Sequence, residues 1–471
     1  MGSDGPLPSG DRRVESFPCL DGVRALAAAT VIAYHLCMSM LIIDRDALPV
    51  VVVRHIAALD RFGVAIFFML SGFLLYRPYV LAQLRGRPIP RARDFWIRRA
   101  ARILPGYWFA LLGAIVLGVA VFTRPTFGDY LTAVALLQNY RAYGVLSFGL
   151  VVGWTLVIEV AFYALLPGIA AITARVSRPG TRRAVLRGNI GMLVMLAIIG
   201  VVTRYVAIFV VGVSAAPTRT WFPISNLNMW VPAYLDMFAL GMLLALVCAW
   251  HETGGGLPRT AAAFARRPWA AWTVVGIMIV ALGRSGMPRV PGVLSIGPST
   301  LFIRDEVSII AAFAFVLPGA LPGPRPGGIR RLLAWKPIAL LGTIAFGVYL
   351  WQLPIIDVVD RWRPDVAVLD SVWPFSMVAV GLTLLIAYVS YVVIEFPARE
   401  LGMRLTGRRA SARAGRWDWL RIDTSEHAEG IDRFVWSDEG ALAGERRIVA
   451  ASIVVALAIA AILPTFRAAL G

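Results

Sequence analysis

The chain has 471 residues, of which 58% are hydrophobic and 16% are charged, and its mean hydropathy is +0.72. A water-soluble domain of this size cannot bury so much apolar surface, so a lipid bilayer must solvate much of the chain. The net charge of +18 would suit a nucleic-acid-binding protein. The arginines lie in loops between apolar segments, however, where they set membrane orientation, and we expect no nucleic-acid partner.

Apolar stretches long enough to cross about 30 Å of hydrocarbon recur along the chain. They predict an all-α fold, a polytopic transmembrane helical bundle of roughly ten core helices plus one C-terminal helix. Residues 129–150 are only moderately apolar, and a span there would invert every later loop, so we expect a re-entrant segment or a lid. The predicted core spans are 22–43, 62–82, 103–122, 153–173, 189–213, 231–250, 270–283, 300–318, 338–356 and 373–395, and the additional helix is 448–466.

Basic residues are distributed unequally between the two sets of loops. With a cytoplasmic N-terminus, each inner loop contains three to ten Lys or Arg residues and each outer loop contains one to three. This asymmetry predicts that the N-terminus is inside. The basic residues include a single lysine, which is typical of a GC-rich bacterial genome, so we expect a multi-pass protein of the bacterial plasma membrane. The predicted units are a cytoplasmic segment 1–19, a transmembrane domain 20–400, a cytoplasmic tail 401–447 and an additional helix 448–471.

The first predicted helix carries two ionisable residues, which are costly inside a membrane and therefore indicate a functional site. Arg24 and His35 are eleven residues apart, or about three helical turns, so they share one face and lie roughly 16 Å apart along the axis. Glu159 lies about 9 Å from the outer end of the fourth helix, and His35 about 12 Å from the outer end of its own helix. We therefore expect this carboxylate to orient the imidazole as a general base.

A basic cluster opens the third predicted helix. Arg99 and Arg102 are spaced i and i+3, so they face one way, and Arg98 lies beside them. Guanidinium groups bind phosphate in a forked geometry, so these residues and Arg24 predict a site for a polyanionic donor at the inner surface. Other interpretations stay open, since the arginines also suit headgroup anchoring, and both His35 and Glu159 also suit structural roles.

The ordered motifs of the chain resemble the acyltransferase-3 family of integral membrane acyltransferases. Their order and spacing cover about residues 20–400, which makes the set far more specific than any single motif. The matching segments are LDGVRALAAATVIAYH at 20–35, FFMLSGFLLYRPY at 67–79, RRAARILPGYW at 98–108, GWTLVIEVAFYALLP at 153–167, YLDMFALGMLLA at 234–245, FGVYLWQLPI at 346–355 and VVIEFPARE at 392–400.

The resemblance implies an enzyme that moves an acyl group, usually acetyl, from cytoplasmic acyl-CoA to a hydroxyl of an envelope glycan, a glycolipid or a glycosylated metabolite. The Arg-x10-His pair of the family falls on Arg24 and His35, and its Arg-x-x-Arg pair falls on Arg99 and Arg102. Its glutamate in the Trp-x-Leu-x-x-Glu stretch falls on Glu159. The expected partners are acyl-CoA as donor, a carbohydrate or glycolipid acceptor and membrane lipids, with no metal.

One position departs from the family pattern. Many relatives carry Tyr-Leu-x-His where this chain has Tyr349, Leu350, Trp351 and Gln352. A glutamine side chain forms hydrogen bonds but does not titrate near neutral pH, so an acid–base role at this position is absent.

The expected mechanism is a transfer in which His35 removes a proton from the acceptor hydroxyl and the resulting alkoxide attacks the thioester. A direct transfer needs no nucleophilic side chain, and an acyl-enzyme on His35 or Ser71 also stays open. The principal rival function is a proton-coupled transporter or flippase of an envelope lipid or glycan, although no inverted repeat is visible. The sequence also leaves open a glycosyltransferase with a polyprenyl phosphate donor and a non-catalytic membrane scaffold.

Overall fold

A computed structural model describes residues 18–43, 48–122, 126–141, 148–177, 181–212, 224–284, 297–321 and 328–407. These ranges form a bundle of α-helices, with a single two-residue strand pair between Val121–Phe122 and Phe148–Gly149 among the described residues. The helices are α1 (Pro18–Ile43), α2 (Val50–Ala57), α3 (Asp60–Leu84), α4 (Ala92–Val116), α5 (Phe127–Val134), α6 (Gly153–Val176), α7 (Arg182–Tyr205), α8 (Leu235–Glu252), α9 (Arg259–Arg266), α10 (Pro268–Arg284), α11 (Pro298–Ala320), α12 (Gly328–Leu333), α13 (Lys336–Trp362), α14 (Val372–Ser390) and α15 (Phe396–Leu405).

Each predicted core span coincides with a helix of the described ranges, which confirms the polytopic helical bundle. Seven helical segments of the described chain are long and apolar enough to cross a membrane by length and composition. The other predicted spans lie in α4 and α11, which contain several charged residues, and in the shorter α10, so the count of ten crossings stays a prediction. The predicted helix 448–466 and most of the tail lie outside the described residues.

Helix α4, which contains the third predicted span, differs from its prediction at both ends. It begins at Ala92 instead of residue 103, because the arginine-rich segment before the apolar stretch continues the same helix. It ends at Val116, and the chain then turns at Gly118, whose positive φ of 67° favours glycine. The whole basic cluster therefore lies on a helix.

Glycine contacts set the spacing between the central helices α3 and α8. A Cβ added to Gly241 would lie 1.9 Å from the backbone oxygen of Met69, and one added to Gly72 would lie 2.3 Å from that of Phe238. Only glycine permits such a close backbone approach, which is typical of helix packing in membranes. This contact fixes α3 against α8 and leaves another face of α3 for a cavity.

Helices α1 and α13 run side by side in the same direction. A Cβ added to Gly342 near the start of α13 would lie 1.9 Å from the backbone oxygen of Asp21 near the start of α1. We call the end of the bundle at which both helices begin the basal end and the opposite end the apical end. Positions counted along α1 and α13 therefore rise together from the basal end.

The segment predicted to be a re-entrant piece or a lid does not form a span in its described part. Its helix α5 has eight residues, and the backbone oxygens of Ala133 and Val134 accept hydrogen bonds from Tyr107 and Trp108 of α4 at 2.7 and 3.0 Å. Asn139 donates to the backbone oxygen of Trp154 at the start of α6 at 2.8 Å. The segment therefore packs across the apical ends of α4 and α6.

Candidate active site

A cavity of about 230 Å³ lies between α1, α3, α4, α6 and α13. The glycine contacts of α3 and α13 hold two of its walls, and apolar side chains such as Phe67 and Leu156 fill much of the surface between the polar groups. The polar residues that line it are Arg24, Ser71, Arg99, Arg102, Thr155, Glu159, Tyr163, Thr343 and Tyr349.

The basal part of the cavity carries guanidinium groups from two helices. Arg24 of α1 donates a hydrogen bond to Asp21 one turn earlier and keeps 23% of its side chain exposed. Arg99 and Arg102 of α4 line the same cavity, as their i and i+3 spacing predicts. The structure thus brings together Arg24, Arg99 and Arg102 in one cavity, whereas Arg98, which the sequence grouped with them, lines a separate groove.

A fourth guanidinium, from Arg399 of α15, belongs to this basic cluster. Arg399 interacts electrostatically with both Arg24 and Arg102, because α15 packs against α4. Glu395 is the nearby carboxylate, which is buried and lies within electrostatic range of Arg102 and Arg399. The sequence motif VVIEFPARE contains Arg399, but nothing in the sequence places it beside α1 and α4.

Three of these four guanidiniums lack a close partner. Among the described residues, Arg99, Arg102 and Arg399 form no hydrogen bond and no salt bridge within 4 Å, and the buried Nε of Arg99 is unsatisfied. Like charges held this close repel one another unless an anion is bound between them. The cluster is therefore a ready site for a ligand with several negative charges.

Above the arginines, a carboxylate and two hydroxyl groups form a compact set on α3 and α6. Ser71 and Tyr163 both donate hydrogen bonds to Oε1 of Glu159, and the two hydroxyls are 3.4 Å apart. Tyr163 follows Glu159 by four residues, so both face the same side of α6. Among the described residues, Oε2 of Glu159 has no hydrogen bond, and Glu159 is only half-buried because it faces the cavity.

A pair of hydroxyls lines the apical end of the cavity. Thr155, one turn before Glu159 on α6, lies 2.6 Å from the hydroxyl of Tyr349 on α13. Tyr349 also donates to the backbone oxygen of Val152 at 3.0 Å, so its ring is fixed across the top of the cavity.

His35 lies one helical turn further toward the apical end and does not line the cavity. Gln352 of α13 lies beside the His35 ring, and the ring also packs edge-on against Tyr34 at 5.3 Å. Gln352 is fully buried, and its Nε2 donates to the backbone oxygen of Tyr349 at 3.2 Å. Neither Nδ1 of His35 nor Oε1 of Gln352 has a hydrogen-bond partner within the described chain.

The predicted contact between Glu159 and His35 is not formed. Glu159 accepts hydrogen bonds from Ser71 and Tyr163, and the polar neighbour of His35 is Gln352. The depths counted from each helix end were similar, but they gave no direction around either helix axis. Gln352, at which the sequence departs from the family pattern, is therefore the residue that faces His35.

A membrane-embedded helical bundle with a cation-lined cavity and an internal carboxylate–hydroxyl set is typical of an enzyme that acts within a membrane. Residues 17–394 match the family model described as an acyltransferase domain. The chain therefore belongs to the acyltransferase-3 family of membrane acyltransferases. No solved structure matches the chain.

The chain is similar to two curated O-acetyltransferases. The peptidoglycan O-acetyltransferase OatA of Listeria monocytogenes is 24% identical over 404 residues, which cover 82% of this chain and 56% of that protein. The O-acetyltransferase OatA of Staphylococcus aureus is 24% identical over 402 residues, which cover 82% of this chain and 58% of that protein. The chain thus spans little more than half the length of these relatives.

Proposed function

We propose that this protein is a membrane O-acyltransferase that moves an acetyl group from cytoplasmic acyl-CoA to a hydroxyl of a cell-envelope carbohydrate. The observation that carries the proposal is the single cavity that joins a cluster of unpaired guanidinium groups to the hydroxyl–carboxylate set of Ser71, Glu159 and Tyr163. A donor with a phosphate-rich head and a neutral acyl end matches both halves of this cavity.

Donor binding is assigned to the basal cluster. Arg24, Arg99, Arg102 and Arg399 would hold the phosphates, and the basal end would then face the cytoplasm, as the excess of basic residues in the inner loops favours. The pantetheine arm would extend along the cavity toward Ser71, where the apolar walls exclude water from the thioester.

Acceptor activation is assigned to the apical side. His35 would remove the proton from the acceptor hydroxyl, because it is a histidine of a membrane helix whose Nδ1 is buried, and it lies above the cavity on the side opposite the arginines. The carbohydrate nature of the acceptor is supported by the relatives, of which the Listeria protein is named for peptidoglycan. The acyl group would then pass between the two membrane faces while the donor and the acceptor each stay on their own side.

The direct test uses purified full-length protein in lipid nanodiscs with acetyl-CoA and soluble peptidoglycan fragments as the probe acceptor. We expect CoA thiol to be released in step with acetylation of the glycan, and we expect His35→Ala to abolish glycan acetylation while the folded protein still binds acetyl-CoA. Normal acetylation by a correctly inserted His35→Ala protein would overturn the assignment of the base. Movement of a glycan or lipid across the membrane without thiol release would favour the transporter instead.

A further inference from the structure

The cavity contains a nucleophile–base pair that the mechanism above does not use. Ser71 donates its hydroxyl proton into a hydrogen bond with Glu159, and a second donor, Tyr163, fixes the same carboxylate oxygen. A hydroxyl bound to a base that is itself oriented by a third group is the arrangement of a covalent catalyst. Serine is also the smallest of the polar groups in this set, so its oxygen is the one that an acyl group can approach closely.

Glu159 and His35 lie at different heights along the bundle. Thr155 lies four residues, or about 6 Å, above Glu159 on α6, and Gln352 lies three residues, or about 4.5 Å, above Tyr349 on α13. Thr155 and Tyr349 contact each other, so the Cα of His35 lies roughly 10 Å above that of Glu159 along the bundle, and the Glu159 side chain, which leans toward the apical start of α6, narrows this gap. Glu159 therefore lies nearer the basal end, where the donor binds, and His35 lies nearer the apical end, where the acceptor enters.

The arrangement of the levels disfavours a single direct transfer. A donor that enters from the basal end meets Ser71 before it reaches the Thr155–Tyr349 contact, and His35 lies about one helical turn beyond this contact. A side chain on α1 leans toward the basal end of its own helix, so the His35 ring extends toward the apical end of the cavity. An acyl group held on Ser71 would thus be the group that an acceptor hydroxyl attacks when His35 takes its proton.

We propose that Ser71 is the catalytic nucleophile and that the reaction passes through an acyl-Ser71 intermediate, with Glu159 as the base of the first half-reaction and His35 as the base of the second. This inference rests on the proposed function, and it adds a covalent step to it. It also gives a physical reason for the separation of the two bases, since each acts in its own half-reaction.

In the first half-reaction, Glu159 takes the proton of Ser71 while Oγ of Ser71 attacks the thioester carbonyl carbon. The bond from this carbon to oxygen forms and the bond to sulfur breaks. The CoA thiolate leaves toward the guanidinium groups of Arg99 and Arg102 and takes a proton from water at the basal end.

In the second half-reaction, His35 takes the proton of the acceptor hydroxyl, and the acceptor oxygen attacks the carbonyl carbon of acyl-Ser71. The bond from this carbon to Oγ of Ser71 breaks, and Glu159 returns to this oxygen the proton that it took first. His35 then loses its proton to water on the apical side. Each base finishes the cycle in its starting state, and no oxidant or further reactant is needed.

The test needs no acceptor, because an acyl-enzyme allows labelled CoA to exchange with acetyl-CoA. Wild-type protein in nanodiscs is incubated with acetyl-CoA and isotopically labelled CoA, and the label in acetyl-CoA is measured. We expect exchange in the wild type, a loss of about 100-fold or more in Ser71→Ala, and partial recovery in Ser71→Cys, since a thiol can also carry the acyl group. The matched control is Ser308→Ala, which removes a buried serine of α11 that does not line the cavity and should leave the exchange rate unchanged.

Mass spectrometry of the quenched wild-type protein should find one acetyl group on the peptide that contains Ser71. A Ser71→Ala protein that binds CoA like the wild type but still exchanges label would overturn the assignment of Ser71. A wild type that acetylates glycan without any exchange would overturn the covalent step and leave the proposed function intact. Failure of the wild type to acetylate any acceptor, with exchange preserved, would instead count against the acceptor in the proposed function.

Discussion

Arg102→Ala removes one unpaired guanidinium from the basal cluster, and its effect on donor binding follows from the geometry. A hydrogen bond between a guanidinium and a phosphate contributes about 1.5–3 kcal/mol when both groups are charged. Since about 1.4 kcal/mol changes a dissociation constant tenfold, the Kd for CoA should rise roughly 10- to 150-fold. Arg102→Lys keeps the charge but loses the fork, so its effect should be smaller.

The assay is isothermal titration of CoA into the protein in nanodiscs at two salt concentrations. The matched control is Arg98→Ala, because Arg98 is on the same helix but lines a separate surface groove beside Arg85 and Arg91. We expect Arg98→Ala to change the Kd less than about threefold, because Arg98 does not line the cavity. Equal weakening by Arg98→Ala and Arg102→Ala would show that only the overall positive field matters and would refute the assignment of a specific phosphate site.

Two further predictions test the histidine level and the apical packing. Gln352→Leu removes the polar neighbour of His35, so glycan acetylation should fall by up to about 100-fold. CoA exchange at Ser71 should stay normal. An equal loss of both activities would indicate a merely structural role for Gln352. Arg204→Ala leaves the buried Asp236 without its 2.5 Å ion-pair partner and should lower the free energy of unfolding by about 3–5 kcal/mol, measured by denaturant titration in detergent. Arg363→Ala breaks only exposed ion pairs and should cost less than about 1 kcal/mol, so equal losses would refute the argument from burial.

The helical bundle could be predicted from the sequence because the bilayer imposes a simple rule. A segment that crosses lipid must satisfy its backbone groups internally, so apolar length alone indicates a helix. The helix ends were less predictable, and α4 is the clearest example. Its first eleven residues are too polar to be part of an apolar span, yet they continue the helix and present Arg99 and Arg102 to the cavity.

The candidate site was predictable where its residues belong to one helix. The spacing of Arg99 and Arg102 gives a shared face directly, and both line the cavity. The partners across helices were not predictable, because counting residues from a helix end gives a depth and no direction around the axis. Glu159 therefore lies beside Ser71, not beside His35, and Arg399 joined the basic cluster only once the packing of α15 on α4 was known.

The apical ion pairs bear on how an acceptor could approach His35. Arg61 at the start of α3 lies 3.5 Å from Asp305 of α11, donates to Tyr234 at 2.7 Å and lies over the ring of Trp154 at 5.8 Å. Trp154 directly precedes Thr155, which lines the apical end of the cavity, so this cluster is joined to that end through one peptide bond. Aromatic rings and buried ion pairs resist displacement, because breaking them leaves a charge without a partner. On the proposed mechanism, the wall beside the Thr155–Tyr349 contact is thus held in place while the acceptor hydroxyl approaches acyl-Ser71 from the side of His35.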